Sequence, residues 1–328
     1  MTKQLYFFIG IMIPFLIISC SSDQNPKLHF ADQGNTVPVF SADSAYNFVA
    51  KQVSFGPRVP ETKAHEQARQ YLLQKLKRYA GNRYVFPQEF SVAGYDRDTL
   101  ALTNIIAAFN PRSGDRIMLS AHWDSRPRAD QDTVNTDKPI LGADDGGSGV
   151  AVLLELARLF HNNPPPIGVD IVLFDGEDYG KDDDLSKYFL GSRYWSNNPP
   201  VQGYSPRFGI LLDMVGGKSA QFPKEQNSMK YAPALVNELW SIADEKGYNN
   251  LFVDEQGSII SDDHVIVNRI LGIPTIDIVH HNPAINGANF PPYWHTHRDN
   301  MNIISKKTLQ GTGDVLSELV YNRLESKQ

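Results

Sequence analysis

Acidic and histidine side chains recur in this sequence directly after short apolar runs or beside a glycine-rich turn. The candidates are His122, Asp124, Asp145, Glu177, Asp178, Asp213 and His295. Ligands of open parallel sheets bind beyond the carboxyl ends of the strands, so residues that follow apolar runs are expected to meet at one edge of the sheet. Zinc accepts carboxylate and imidazole donors, and a catalytic zinc site keeps one coordination position open. The pattern therefore predicts a catalytic zinc site among these residues.

The adjacent acids Glu177 and Asp178 carry much of this interpretation. They follow the apolar run at residues 171–174 after Asp175 and Gly176. Two neighbouring carboxylates at the end of a buried strand would repel each other unless a cation held one of them. One acid can then bind metal while the other transfers protons. The alternative is a solvated acidic turn without chemistry.

The elements that must position these residues alternate between strands and helices. Strands are predicted at residues 103–109, 117–120, 169–174, 208–212 and 275–279. Helices are predicted within residues 41–80, interrupted by a loop at 55–58, and at 149–160, 232–246, 263–271 and 306–324. This alternation predicts one α/β domain with a mostly parallel central sheet flanked by helices on both faces.

The N-terminus has the pattern of an export signal. Lys3 precedes an apolar run at residues 5–18, which ends at Ser19-Cys20 and gives way to polar residues. The run is shorter than the roughly 20 residues of a membrane-spanning helix. Its end resembles the cleavage site of bacterial lipoproteins, which implies lipidation at Cys20; an ordinary signal peptide with an incidental cysteine is the alternative. We therefore expect a signal at residues 1–20, a polar tether at 21–37 and a catalytic domain at 38–328.

Composition narrows the possible partners. The chain of 328 residues is 41% hydrophobic and 21% charged, which is typical of a globular protein. The net charge of -6 is not accompanied by basic clusters, so a nucleic-acid partner is not expected. Cys20 is the sole cysteine, so the mature domain can form no internal disulfide. We expect an exported monomer that faces the periplasm and contacts the membrane only through a lipid at Cys20.

With these motifs in place, the sequence resembles the zinc aminopeptidase-like family over nearly the whole mature chain. That family has a His-x-Asp, a Gly-Ala-x-Asp before a helix of small residues, an acidic pair, a lone Asp and a late His. The resemblance implies five ligand positions in the two-metal peptidases, with Glu177 as general base. These positions are His122, Asp145, Asp178, Asp213 and His295. Asp178 departs from the family, in which Glu is the commoner ligand.

Within that family, four short segments resemble the glutaminyl cyclases. The segments are Asp175-Gly176-Glu177, Gly191-Ser192-Arg193, Asp262-Asp263-His264 and Trp294-His295-Thr296. The resemblance implies a single zinc held by Asp145, Asp178 and His295, and a hydrogen-bond network of Asp213 and Asp262 around Glu177. The residues expected to surround and support this centre are His122, Asp124, Asp263 and His264.

Some details of the cyclase reading remain open at the level of sequence. Asp263 can take the role assigned to Asp262. Trp294 and Phe290 are expected to contact the substrate, although an aromatic residue beside a ligand can equally pack in the core. An aromatic residue common in the cyclase loop after the acidic pair is absent, and Tyr179-Gly180-Lys181 stands there instead.

The activity implied is conversion of the N-terminal glutamine of peptides or proteins to pyroglutamate, with release of ammonia. The main alternative is an aminopeptidase with two zinc ions, which would use all five ligands to hydrolyse the first peptide bond. A third reading is an inactive peptide-binding lipoprotein. That reading predicts replacement of Glu177, Asp145 or His295, and all three are present.

Overall fold

The computed structural model describes residues 28–95, 98–181, 184–282 and 290–325. Cys20, the predicted signal and the first part of the predicted tether lie outside these residues. The rest of the tether runs beside the end of the chain, where Phe30 forms a β-bridge with Leu324 and the Gln33 N–H donates to the Asn322 carbonyl at 2.9 Å. Among the described helices, none combines the length and apolar character needed to cross a membrane.

A six-stranded sheet organises the molecule, in the order β1-β2-β4-β3-β5-β8. The pairs β4–β3, β3–β5 and β5–β8 are parallel, whereas β1–β2 and β2–β4 are antiparallel. A separate parallel pair is formed by β6 and β7. The strands are β1 Val85–Ala93, β2 Thr99–Phe109, β3 Arg116–His122, β4 Gly168–Phe174, β5 Gly209–Asp213, β6 Phe222–Lys224, β7 Phe252–Gln256 and β8 Thr275–Val279.

Helices cover both faces of this sheet. On β3, Ile117 and Leu119 belong to the large core shared with α1, α2, α3, α6 and α8, whereas Met118 packs with α4 and α7 on the opposite face. The helices are α1 Ala42–Val53, α2 Lys63–Ala80, α3 Gly147–Asn162, α4 Leu190–Asn197, α5 Gln226–Tyr231, α6 Pro233–Glu245, α7 Asp263–Leu271 and α8 Lys306–Glu318, with a π-helical turn at Leu319–Arg323. A strand covered on both sides is continuously apolar, as β3 and β4 are. The predicted α/β class with a mostly parallel central sheet is confirmed.

The structure adds elements that the sequence pattern did not predict, namely β1, α4, α5 and the β6–β7 pair. Strand β1 is the clearest case, because it lies at the edge of the sheet and buries only Val85 and Phe90 of its nine residues. Its sequence also contains Pro87, which is tolerated at a sheet edge and argues against a central strand. A half-exposed edge strand therefore lacks the continuous apolar run on which the prediction of the central strands depended.

Helix α3 approaches the sheet so closely that one position excludes any side chain. A Cβ at Gly149 would lie 2.2 Å from the Leu212 carbonyl oxygen on β5 and 3.0 Å from Cβ of Ala121 on β3. This contact brings the start of α3 against the ends of the two strands. Asp145, just before α3, is thereby placed beside His122 and Asp213 at those ends.

Candidate active site

The residues singled out by sequence come together at the carboxyl ends of the strands. His122 ends β3 and Asp213 ends β5, while Glu177 follows β4 through Gly176, whose φ is 69°. A cavity of about 250 Å³ opens here. It is lined by Asp145, Glu177, Asp178, Leu185, Tyr188, Phe189, Asp213, Met214, Ile260, Ser261, Asp262, Phe290, Trp294 and His295. The sheet edge thus gathers every residue predicted to bind metal, transfer protons or contact the substrate.

Three of these side chains form a group that fits a metal ion. We call Asp145, Asp178 and His295 the metal trio; their ligand atoms lie within 4.8 Å of one another and all three residues are buried. His295 Nε2 lies 3.7 Å from Asp145 Oδ2 and 3.4 Å from Asp178 Oδ1. Donors bound tetrahedrally to one zinc ion at about 2.0–2.2 Å lie about 3.3–3.6 Å apart, so the spacing suits such an ion.

An unpartnered oxygen in the metal trio supports the same conclusion. Asp178 Oδ2 is buried and has no hydrogen-bond partner among the described residues. Buried carboxylate oxygens are costly without a partner, and a bound cation would satisfy this one. One imidazole and two carboxylates are also a donor set that zinc accepts, with a position left for substrate.

His122 joins a second group with Asp145 and Asp213, again within 4.8 Å. Its Nε2 lies 3.0 Å from Asp145 Oδ1 and 3.3 Å from Asp213 Oδ1. Its Nδ1 lies 3.4 Å from Asp124 Oδ1. The separations from Asp145 and Asp213 are shorter than those of the metal trio, and all three lie within hydrogen-bond reach. Asp145 is common to both groups, so a second metal ion is geometrically possible.

The backbone that carries the acidic pair is fixed by Asp124. Its Oδ1 accepts the Glu177 N–H at 3.1 Å, and its Oδ2 accepts the Asp178 N–H at 3.2 Å. Asp124 is fully buried. One carboxylate therefore orients both members of the pair. Asp124 supports the site by holding the backbone of these two residues.

Asp299 performs the same task for the loop that carries Asp145. Its two carboxylate oxygens accept the N–H groups of Asp144 and Asp145 at 2.8 and 3.2 Å. The Asp144 carboxylate in turn accepts from the Tyr293 hydroxyl at 2.6 Å and from the Gly216 N–H at 2.8 Å. The sequence analysis did not single out Asp299, which lies in the same late segment as His295.

Arg126 and Asp130 are the most informative residues that sequence reasoning missed. Arg126 Nη1 donates to Asp178 Oδ1 at 2.7 Å, and its Nε donates to Asp130 Oδ1 at 2.8 Å. Asp130 Oδ1 also lies 3.4 Å from Nδ1 of His295. The two residues thus connect two members of the metal trio from behind. Their signal in the sequence is a charged pair four residues apart, just after His122–Asp124, which resembles an ordinary surface pair.

The position of His295 itself indicates a constrained site. Its backbone φ of 53° lies in the left-handed region, which non-glycine residues rarely adopt. Its ring stacks on Trp294 with centroids 3.5 Å apart. Such backbone conformations persist where the surrounding structure holds them, often at functional sites.

The proton-transfer candidates lie at the cavity with little exposure to solvent: the Glu177 and Asp213 side chains are 12% and 13% exposed, and Asp262 is buried. Burial raises the pKa of Glu177 well above its usual value, and the charges of Asp178 and Asp262 act in the same direction. Burial likewise raises the pKa of Asp262 well above its usual value, and the charge of Asp213 acts in the same direction. A carboxyl with a raised pKa can both accept and return a proton near neutral pH.

The two candidates for the last acid occupy different places. Asp262 lines the cavity, caps the start of α7 and accepts the Asp263 N–H at 2.5 Å. Asp263 is fully buried, and burial raises its pKa to about 7. His264 lies further inside, 3.3 Å from Glu225 Oε2. Of the two acids, Asp262 is therefore the one that faces the cavity.

An apolar wall closes the other side of the cavity. Phe290 and Trp294 pack 4.5 Å apart between ring centroids and rest on Met214 and Ile260. The cavity therefore pairs a carboxylate-rich floor with an aromatic wall. This arrangement can bind a short side chain with methylene groups and a polar end.

Comparisons with known proteins identify a family and several similar structures. A model of peptidase family M28 matches residues 104–320. A Bacteroides thetaiotaomicron glutaminyl cyclase bound to N-acetylhistamine is 46% identical, has a TM-score of 0.83, and covers 87% of this chain and 99% of that chain. A Zn-dependent exopeptidase from Parabacteroides distasonis ATCC 8503 is 45% identical, with a TM-score of 0.84 and coverage of 88% and 100%.

A more distant relative is a glutaminyl-peptide cyclotransferase. The glutaminyl-peptide cyclotransferase of Bos taurus is 24% identical over 296 residues, which cover 81% of this chain and 78% of the relative. The predicted resemblance to glutaminyl cyclases within the zinc aminopeptidase-like family is thus confirmed. Because the family model matches more than half of the chain, the protein belongs to peptidase family M28.

Proposed function

We propose that this protein is a glutaminyl-peptide cyclotransferase that converts N-terminal glutamine to pyroglutamate and releases ammonia. The observation that carries the proposal is the cavity of about 250 Å³, which places Glu177 beside the metal trio and opposite an aromatic wall. A cavity of this size suits a single glutaminyl side chain. The 46% identity to a bacterial glutaminyl cyclase supports the same activity.

In this reaction the substrate's own α-amine attacks its side-chain amide carbon. The new C–N bond closes the five-membered lactam, and the C–N bond to the amide nitrogen breaks. Glu177 accepts a proton from the attacking amine and returns it to the departing nitrogen, which leaves as ammonia. The hydrogen bond from the Glu177 N–H to Asp124 holds this residue in place at 3.1 Å.

The other residues of the cavity position the substrate and hold protons. Zinc bound by the metal trio would supply Lewis-acid polarisation of the amide oxygen. Trp294 and Phe290 pack against the glutamine methylenes and exclude water. Asp213 and Asp262 line the cavity with Glu177 and can share its proton.

We propose one zinc ion per chain, held by Asp145, Asp178 and His295. The separations of 3.4 and 3.7 Å in the metal trio suit donors around an ion. His122 instead lies 3.0 Å from Asp145, at hydrogen-bond distance, and so serves as a supporting residue.

A two-zinc aminopeptidase is the second candidate, because Asp145 is shared between two possible ligand groups. The purified protein, loaded with zinc, should be incubated with a peptide that begins with glutamine. Ammonia release at an unchanged residue count supports the cyclase, and free glutamine supports the peptidase. Metal analysis should give about one zinc per chain for the cyclase and about two for the peptidase.

The role of Glu177 is tested by the Glu177→Gln variant. The amide keeps the shape of the side chain but cannot accept the proton, so kcat should fall by about 10²–10⁴-fold. Zinc content should remain that of the wild type, because Glu177 lies outside the metal trio. A variant that retains zinc and full cyclisation rate would rule out Glu177 as the base.

For the location, we propose a periplasm-facing lipoprotein anchored through Cys20. The basis is the N-terminal pattern of Lys3, the apolar run and Ser19-Cys20. Cys20→Ala should remove lipid labelling and move the protein from the membrane fraction to the soluble fraction. Continued membrane association of this variant would contradict the anchor.

A further inference from the structure

One wall of the active-site cavity is a short loop that we call the pocket segment, residues 257–262. It contributes Ile260, Ser261 and Asp262 to the lining of the cavity. It has no regular secondary structure and joins β7 to α7. Its position must therefore be fixed by contacts with other parts of the chain.

Backbone and side-chain hydrogen bonds attach this segment to residues 224–227. The Gly257 N–H donates to the Lys224 carbonyl at 2.7 Å, and the Gln226 N–H donates to the Ser258 carbonyl at 3.0 Å. Asn227 Nδ2 donates to the Ile260 carbonyl at 2.7 Å. The pocket segment is thus held along much of its length by the start of α5.

Glu225 is the centre of this attachment. Its Oε1 accepts the N–H groups of Ile260 at 2.9 Å and Asn227 at 2.8 Å. Its Oε2 accepts the N–H and hydroxyl of Ser228 at 2.6 and 2.8 Å and lies 3.3 Å from His264 Nε2. The residue is fully buried. Glu225 is not among the residues that line the cavity, and these contacts engage both of its carboxylate oxygens.

These contacts bracket Asp262. Ile260 stands two residues before Asp262 and His264 two residues after it, and one carboxylate contacts both. His264 is also flanked by Asp277, whose Oδ2 lies 3.7 Å from Nδ1. The loop before Asp262 and the helical turn after it are consequently fixed to the same buried group.

The chemistry of this position requires a carboxylate. Four N–H or O–H donors and an imidazole nitrogen surround the two oxygens of Glu225. A glutamine would retain one acceptor oxygen but place its NH₂ group against donors on the other side. The substitution therefore leaves buried donors unpaired, a defect that shifts neighbouring structure.

We propose that Glu225 is a positioning residue of the reaction, which acts by fixing Asp262 and the Ile260 wall in the cavity. This inference rests on the proposed function and extends it to a residue outside the cavity. A displacement near 1 Å at a catalytic group can cost about 10²-fold in rate. Glu225→Gln should accordingly lower kcat/KM by about 10- to 100-fold, with zinc content unchanged because the metal trio lies on other segments.

A double-mutant cycle separates positioning from general damage. Cyclisation of a Gln-initiated peptide is measured for wild type, Glu225→Gln, Asp262→Asn and the double variant. If Glu225 acts through Asp262, Glu225→Gln should cost less than about threefold in the Asp262→Asn background, because coupled residues are not additive. An equal fold-loss in both backgrounds would overturn the proposal.

Two further variants keep the test decisive. Asn227→Ala removes only the side-chain hydrogen bond to the Ile260 carbonyl, so kcat/KM should fall less, again non-additively with Asp262→Asn. This variant replaces Glu225→Gln in the cycle if Glu225→Gln does not fold. Glu318→Gln alters another buried carboxylate, which ends α8 and contacts Asn322 and Lys246, and should leave kcat/KM within about twofold. A similar loss in Glu318→Gln would assign the effect to stability alone.

The failure of this inference differs from the failure of the proposed function. A wild-type protein that binds zinc but releases no ammonia refutes the cyclase activity. An active wild type with additive effects in the cycle refutes only the role of Glu225.

Discussion

Asp130 offers the sharpest test of how the metal trio is held. It lies 3.4 Å from Nδ1 of His295, the ring nitrogen opposite the one that faces Asp145 and Asp178. It also accepts a hydrogen bond from Arg126 at 2.8 Å. Asp130→Asn keeps the size of the side chain and removes its charge. The imidazole then loses the anion that orients it. Its basicity as a ligand should fall, because that anion raises it.

The expected size of this effect follows from the burial of the contact. The side chains of His295 and Asp130 are 5% and 16% exposed, so water screens their interaction only weakly. Loss of a carboxylate beside a metal-ligating histidine typically costs about 1.4–2.8 kcal/mol of metal affinity. Each 1.4 kcal/mol corresponds to about tenfold in affinity, so zinc should bind about 10- to 100-fold more weakly. In the variant, Arg126 loses its anionic partner at residue 130 and pairs with Asp178 alone. The stronger pairing with this metal ligand should also weaken zinc binding.

The assay is competition for zinc with a chelator of known affinity, followed by cyclisation at saturating zinc. The matched control is Asp132→Asn, two residues away, whose carboxylate instead accepts from the N–H and ring of His297 at 3.0 Å. The control should bind zinc like the wild type. If Asp130→Asn also binds zinc with wild-type affinity, the Asp130 carboxylate does not orient His295 for zinc binding.

Two further predictions concern stability. Gly149→Ala should destabilise the protein by about 1–3 kcal/mol, because its Cβ would lie 2.2 Å from the Leu212 carbonyl oxygen. This loss should exceed the gain from alanine's better helix propensity. An unchanged denaturant midpoint would contradict this packing. Burial alone would raise the pKa of Glu225, but hydrogen bonding and charge from His264 and backbone N–H groups lower it from 4.5 to about 2. Because the folded-state pKa is the lower one, its stabilisation is present above pH 4.5 and is lost as the pH falls towards 2. Glu225→Gln should therefore flatten the acid limb of the stability curve, and an unchanged limb would exclude this contribution.

The sequence predicted the central sheet because its strands are covered on both faces. Residues 169–174 are continuously apolar apart from Asp170, and all of β4 is buried. The chemistry-bearing residues were found for a related reason, since they follow strands whose ends share one edge. Strand β1 escaped prediction because its exposed positions alternate irregularly with buried ones at the edge of the sheet.

Supporting residues were harder to predict, and the reason is physical. Arg126 and Asp130 look like a solvent-exposed pair until the fold buries the arginine behind the metal trio. Glu225 lies far along the chain from Ile260, whose N–H donates a hydrogen bond to it. Their roles depend on contacts between distant segments, which composition and local periodicity do not encode.

The concentration of acids at this site would be stabilised both by buried anchors and by a bound cation. Five carboxylates line one cavity, those of Asp145, Glu177, Asp178, Asp213 and Asp262. Their mutual repulsion opposes folding unless protons, cations or oriented N–H groups offset it. Arg126 offsets part of the charge at Asp178, and the raised pKa of Glu177 and Asp262 allows protons to offset more. A divalent ion at the metal trio would reduce the remainder where two of the five carboxylates meet, so metal binding and folding of this edge should be coupled.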